Sequence, residues 1–255
     1  MKLVLRLSYV GTGFHGFQVQ PGGVRTVQKT VQDAVGMLYG ERYAVTGCSR
    51  TDSGVHASEF FLTVDAGEDS LKIPCVRLPA AMNRYLPDDV AVTGAALAGD
   101  DFHPRYSVLE KEYIYLIDHG SARNPFLCGR ALFYPKPLHP DRMRQAASAF
   151  CGRHDFSAFM ASGSDVTDTV RTVKAAEVAD EGDILRFSVT ADGFLYNMVR
   201  IMVGTLLSVS EGRIAAEEIP QILSSRDRRL AGRTAPPDGL YLNRVRYPAG
   251  LFEME

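Results

Sequence analysis

The feature that most constrains this chain of 255 residues is that its strand-like runs alternate apolar with polar side chains instead of running apolar throughout. Leu3, Leu5, Leu7 and Tyr9 fall on one side of the opening segment, with Lys2, Arg6 and Ser8 on the other. Leu185, Phe187, Val189 and Ala191 alternate with Arg186, Ser188 and Thr190 in the same way. Successive side chains of a strand point to opposite faces, so each run buries one face only. Sheets made of such strands are antiparallel or mixed with helices over one face, unlike the parallel sheets of dinucleotide-binding folds, which are covered on both sides.

Helical spacing punctuates these strands. Val27, Val31, Val35 and Leu38 recur every three or four residues behind Thr26, which is placed as an N-cap. A β-prone run over 43–49, a polar turn over 50–56 and a β-prone run over 59–65 follow. The pattern then predicts a helical patch near 80–85, a strand near 90–96, a loop at His103-Pro104 and a strand over 112–118. The second half repeats the alternation: His139-Pro140-Asp141 opens a helix that buries Met143, Ala147 and Phe150. A long helix over 196–210, apolar around most of its circumference, runs up to Gly212. Pro220 is expected to interrupt the next helical run, and 240–247 reads as a final strand. With no low-complexity stretch or long Pro/Ser linker, the economical reading is an α+β fold. It comprises two similar α/β halves, 1–107 and 108–255, with antiparallel or mixed sheets covered by helices and an active-site cleft between them.

Composition narrows the function. A 45% apolar and 23% charged chain supports a substantial core. Cys48, Cys75, Cys128 and Cys151 lie far apart without a C-x-x-C pair, which points to reduced thiols in a cytoplasm. The alternating amino terminus is not a signal peptide pattern, and no apolar stretch approaches the ~20 residues of a membrane helix, so no membrane association is expected. The histidines show no metal-ligand spacing, and Gly11-Thr12-Gly13-Phe14-His15-Gly16 lacks the lysine of a phosphate loop. Neither a metal nor a nucleotide cofactor is implied. The net charge of -2 gives no global reason to expect a polyanion as partner.

Chemistry concentrates in Ser49-Arg50-Thr51-Asp52-Ser53-Gly54-Val55-His56-Ala57. In isolation such a string is an ordinary turn, with Asp52 bonding its own backbone and Gly54 supplying a positive φ. The string resembles, however, the R-T-D-A-G-V-H-A signature of the TruA family of tRNA pseudouridine synthases, with Ser53 in place of alanine. The resemblance runs along nearly the whole chain. It takes in Tyr9-x-Gly11, Phe14-x-Gly16-Phe17-Gln18-x-Gln20, Thr26-Val27-Gln28, Asn83-x-x-Leu86-Pro87-x-Asp89 and Phe102-His103-Pro104-Arg105-Tyr106-Ser107. Further along it includes Lys111-Glu112-Tyr113-Ile114-Tyr115, His154-Asp155-Phe156, Asn197-Met198-Val199-Arg200-x-Met202-Val203-Gly204 and Gly239-Leu240-Tyr241-Leu242. Phe17 stands where the family usually has tryptophan, and this chain contains no tryptophan.

The resemblance implies isomerisation of uridine to pseudouridine in the anticodon stem-loop of tRNA, at positions 38–40, without a cofactor and by a homodimer whose two copies share the substrate. Such pairing would build a positive groove from two modest surfaces. The reaction breaks the bond from C1′ to N1, turns the uracil and rejoins it through C5, which then loses its proton. It needs an ionised carboxylate, a cation that keeps it ionised and a group that retains the detached base. The family match gives these roles to Asp52 as the catalytic carboxylate, Arg200 as its basic partner and Tyr113 as the ring stacked on the uracil. Arg50 is matched to the group that helps the uridine leave its helix, a step costing a few kcal/mol.

From the residues alone other readings stand. Arg200, among Met198, Val199, Ile201 and Met202, would in any fold need an acid or a route outward. Tyr113 and Tyr115 share a strand face and suit plain sheet packing, and Tyr115 is read as core. The cations Arg226, Arg228, Arg229 and Arg233, with Arg42, Arg105 and Lys111, suit either phosphates or a solvated surface. The competing functions are an RNA-binding or RNA-folding module without turnover and a nucleoside hydrolase. The hydrolase is disfavoured because Asp52 has no acidic neighbours in sequence to activate water or hold calcium.

Overall fold

The computed structural model describes residues 1–65, 73–164 and 166–250. These group into two compact α/β units, one made of Met1–Leu109 and the segment from Tyr241 onward, the other of Glu110–Leu240.

In the first unit β1 (Lys2–Tyr9) lies between β3 (His56–Val64) and β4 (Val90–Ala98), antiparallel to both. The short β2 (Val45–Gly47) pairs antiparallel with β3, and β10 (Leu240–Arg246) runs parallel to β3 with Tyr241 opposite His56. The sheet is therefore mixed, and the final strand forms its ladder with β3 of this unit. Leu3, Leu5, Leu7 and Tyr9 are buried, as the alternation requires, and Val4 on the opposite face is buried as well. α1 (Val27–Tyr39) begins where the Thr26 hydroxyl accepts from the Lys29 amide and ends at Gly40, whose φ of 79° is left-handed. It buries Val27, Val31, Ala34 and Val35, each fully buried valine contributing about 1.5–3 kcal/mol. α2 (Leu78–Met82) packs on β4.

In the second unit β5 (Glu110–Asp118), β9 (Ile184–Ala191), β8 (Val170–Glu181) and β7 (Gly152–Asp155) follow one another as antiparallel neighbours. The two-residue β6 (Leu132–Phe133) runs parallel to β5. α3 (Pro140–Ser148) lies against β8 and against α4 (Met198–Ser210), which is buried nearly all round.

Two departures from the sequence pattern have clear causes. β8, a strand of 12 residues, shows no clean alternation because its register with β9 shifts between Val173 and Ala175. The buried positions are consequently Val173, Ala176 and Val178, a spacing of three and then two that conceals the period of a strand. Pro220 does not interrupt a helix. It occupies the first turn of α5 (Ile219–Ser225), where a missing amide proton costs nothing. Among the described residues no helix is long and apolar enough to cross a membrane, and no disulfide joins any of the four cysteines.

α4 is covered on its remaining side by residues 231–235. A Cβ built at Gly204 would stand 1.6 Å from the Arg233 carbonyl oxygen, and the Gly232 amide donates to Thr205 Oγ1 at 2.9 Å. Gly204→Ala is therefore expected to lower the unfolding free energy by about 1–3 kcal/mol or more, read from the urea midpoint. An unchanged midpoint would contradict this close contact.

Candidate active site

Arg50 and Asp52 share the loop between β2 and β3. Its turn is closed by main-chain atoms, Val55 N donating to the Asp52 carbonyl at 3.2 Å, with Gly54 at a φ of 81°. The loop is clamped by the arc that follows β1. Phe17 N donates to the Thr51 carbonyl at 3.0 Å and Gly54 N to the Phe14 carbonyl at 3.2 Å. Tyr9 Oη and Thr51 Oγ1 are 2.8 Å apart, and the Gly11 amide donates to His56 Nδ1 at 3.0 Å. His56 is fully buried and stacks on Tyr241 with ring centroids 4.4 Å apart, so it serves as a pillar of the loop.

The clamp needs glycine at two points. A Cβ at Gly11 would stand 2.0 Å from the Val55 carbonyl oxygen, and one at Gly16, whose φ is 85°, would stand 2.8 Å from that of Thr51. Arg25 fastens the arc from outside through paired 2.7 Å bonds to Asp89, with its guanidinium 4.0 Å over the Phe14 ring. The result is an aspartate held half-buried on a backbone with little freedom, and an arginine two residues earlier that is exposed. Both departures from the family pattern are accommodated here. Ser53 Oγ donates to the Phe14 carbonyl at 3.2 Å, an added tie that alanine cannot make. Phe17 is buried with its ring 4.6 Å from that of Phe60, directly over Gly47.

Arg200 stands in the first turn of α4. Its Nε donates to the Ala235 carbonyl at 2.7 Å and its Nη1 to Asn197 Oδ1 at 2.6 Å, while the Ala235 amide returns a bond to the Arg200 carbonyl at 3.0 Å. Two donors fixed at an angle set the plane of the guanidinium. Asn197 itself has a φ of 59°, a left-handed conformation uncommon outside glycine. The approach of 231–235 to Gly204 is what brings the Ala235 carbonyl within reach. Neither Asn197 nor Ala235 was expected from sequence to support Arg200; an asparagine three residues before it on a helix start was the available signal.

Tyr113 lies on β5 opposite Val189, 8% exposed, with its ring edge-on to Phe194 at 5.0 Å. Tyr115 is fully buried, its hydroxyl donating to the Pro236 carbonyl at 2.8 Å. Burial pushes the Tyr115 phenol far above its ordinary range, with the charge of Arg200 opposing that rise and Asp238 adding to it. Tyr115 is thus a neutral core residue, and it lies within the field of the Arg200 guanidinium.

The basic run near residue 228 is largely committed to its own unit. Arg226 pairs with Asp155 at 2.9 Å, and Arg228 Nη1 donates to the Gly232 carbonyl at 2.8 Å. Arg229 grips Asp227 at 2.7 Å, and its hydrogen bonds hold that carboxyl down at about 2. Among the described residues no group of three His, Cys, Asp or Glu side chains is disposed to hold a metal ion.

Comparison with known proteins gives the family of the chain. Residues 7–107 and 146–248 match a family model described as tRNA pseudouridine synthase. Relatives called tRNA pseudouridine synthase A include one from Acetivibrio thermocellus, 45% identical over 97% of this chain and 99% of its own length. The corresponding protein of Bacillus subtilis is 42% identical over 97% of this chain and 99% of its own length. That of Staphylococcus aureus is 38% identical over 96% of this chain and 91% of its own.

Replacement of Asn197 separates its backbone role from its side-chain role. Asn197→Gly tolerates the positive φ and loses only the acceptor for Arg200, whereas Asn197→Ala loses both. The glycine variant is expected to be about 1 kcal/mol more stable than the alanine variant in urea unfolding. Equal stabilities would count against a left-handed constraint at this position.

Proposed function

We infer that this chain, which belongs to the tRNA pseudouridine synthase family, isomerises uridine to pseudouridine in the anticodon stem-loop of tRNA, at positions 38–40. The observation that carries the reading is the clamped loop of Arg50 and Asp52, which lies inside a family match covering most of the chain. A carboxylate on a backbone fixed by glycine-limited contacts suits a reaction in which one atom must be met at one angle.

In this reading Asp52 acts on the ribose or base as the bond from C1′ to N1 breaks. Arg200 keeps that carboxylate ionised, its own plane fixed by Asn197 and Ala235. Tyr113 stacks on the uracil while it turns, and C5 then bonds to C1′ and gives up its proton as N1 gains one, so that no electrons are exchanged with a cofactor. Arg50, exposed at the rim of the loop, helps draw the uridine out of its stack. The enzyme works in the cytoplasm as a homodimer in which each copy adds to the surface that receives the RNA.

Asp52→Asn is expected to reduce pseudouridine formation in a tRNA transcript by about a thousandfold or more while the variant still folds and binds RNA. Tritium release from uridine labelled at C5 measures it, and turnover near the wild-type rate would refute the role of Asp52. Because carboxylate and guanidinium are taken to act as one unit, the double variant Asp52→Asn/Arg200→Gln should be no slower than Asp52→Asn alone. Losses that multiply would mean the two act separately.

A further inference from the structure

The first unit contains a concavity of about 220 Å³ of whose lining the reading above uses Arg50 alone. Its lining includes Phe17, Ser49, Arg50, His103, Arg105 and Tyr106, and none of its lining residues is acidic. In a chain whose formal charge is -2, this hollow carries two guanidinium groups and no carboxylate.

The loop on one side of this hollow is rigid. His103 N donates to Ser107 Oγ at 3.1 Å and Ser107 N returns a bond to the His103 carbonyl at 2.9 Å. His103 Nδ1 accepts from the amides of Arg105 and Tyr106 at 3.1 and 3.3 Å. The Tyr247 hydroxyl holds the Pro104 carbonyl at 2.6 Å, and the buried Phe102 packs on the Tyr247 ring at 5.3 Å. This loop presents a side chain that lies largely in solvent: Tyr106 is 76% exposed, its ring centroid 4.3 Å from that of His103 and 6.0 Å from the guanidinium carbon of Arg105. An aromatic ring left so far in solvent buries little apolar surface for the fold it stands on. With Nδ1 accepting, the proton of the neutral imidazole sits on Nε2, an additional donor.

A planar aromatic face beside two guanidinium groups, in a hollow whose lining also includes Gln18 and Gln28, matches a base joined to a phosphodiester. We propose that this hollow is a nucleotide subsite, in which a base of single-stranded RNA stacks on Tyr106 while Arg105 and Arg50 hold its phosphate. The occupant is a neighbour of the reacting uridine and not the uridine itself. Arg50 borders the hollow and lies two residues from Asp52, no more than about 7 Å between Cα atoms, so the nucleotide is one or two places along the same strand. The inference rests on the reading of the chain as an RNA uridine isomerase.

The test uses the full chain, a synthetic anticodon stem-loop RNA and the same RNA with 2-aminopurine beside the target uridine. Tyr106→Ala is expected to weaken binding about five- to a hundredfold and to abolish the quenching of 2-aminopurine, while Tyr106→Phe retains both. Arg105→Ala should flatten the dependence of log Kd on log salt by about one. Tyr106→Ala binding as tightly as wild type overturns the subsite, as does a phenylalanine variant as weak as the alanine one. If the wild-type chain forms no pseudouridine but Tyr106→Ala still loses affinity and quenching, the isomerase reading falls and the subsite stands. Pseudouridine formation with no effect of Tyr106→Ala has the opposite meaning.

Discussion

The contact on which the candidate site depends is the one at Gly11, where the backbone leaving β1 comes so near the Val55 carbonyl that a methyl group would overlap it. From it follow the bond from the Gly11 amide to His56, the burial of that imidazole against Tyr241, and the seating of 51–55 under the Phe14–Phe17 arc. An acidic side chain on a free turn would sample many positions and would have to be ordered at each turnover. Here the ordering is done during folding by hydrogen bonds that do not involve the substrate.

The second unit reaches the same end by a similar device. Gly204 and Gly232 let two main-chain segments touch, and the touch delivers a carbonyl to the Nε of Arg200. Asn197 completes the arrangement from a left-handed backbone, a conformation that costs free energy and is retained where neighbouring structure supplies it. In both units a charged side chain is aimed by the backbone around it, and small residues make that possible.

Much of this was legible in the sequence and some could not have been. β1 and the capped α1 each carry a period that survives into the structure, because one face of each meets a continuous core, and α4, apolar nearly all round, is buried nearly all round. β8 was missed because its bulge at Val173 breaks the alternation, and its Ala-Ala-Glu stretch favours helix until β9 pairs with it. Pro220 is ambiguous in sequence because proline has opposite meanings in the first turn and in the middle of a helix. For the site, Arg50, Asp52, Tyr113 and Arg200 stand out through the family resemblance, since each alone suits an ordinary structural role. The carbonyl of Ala235, the φ of Asn197 and the bare ring of Tyr106 are properties of folded backbone and exposure, and no one-dimensional pattern encodes them.

The return of β10 to the first unit bears on how the polypeptide acquires its shape during synthesis. Val245 N donates to Glu59 Oε1 across a sequence separation of 186 residues, and Tyr241 sits opposite His56, the residue that props the Asp52 loop. Residues 110–240 are contiguous and can collapse as soon as they leave the ribosome. The earlier-made segment must wait, its sheet lacking one rail and its imidazole uncovered, until the late strand arrives and the entropy of that long closure has been overcome. The loop of Asp52 would then be among the last parts to rigidify, gaining its final support only once Leu240–Arg246 has been made.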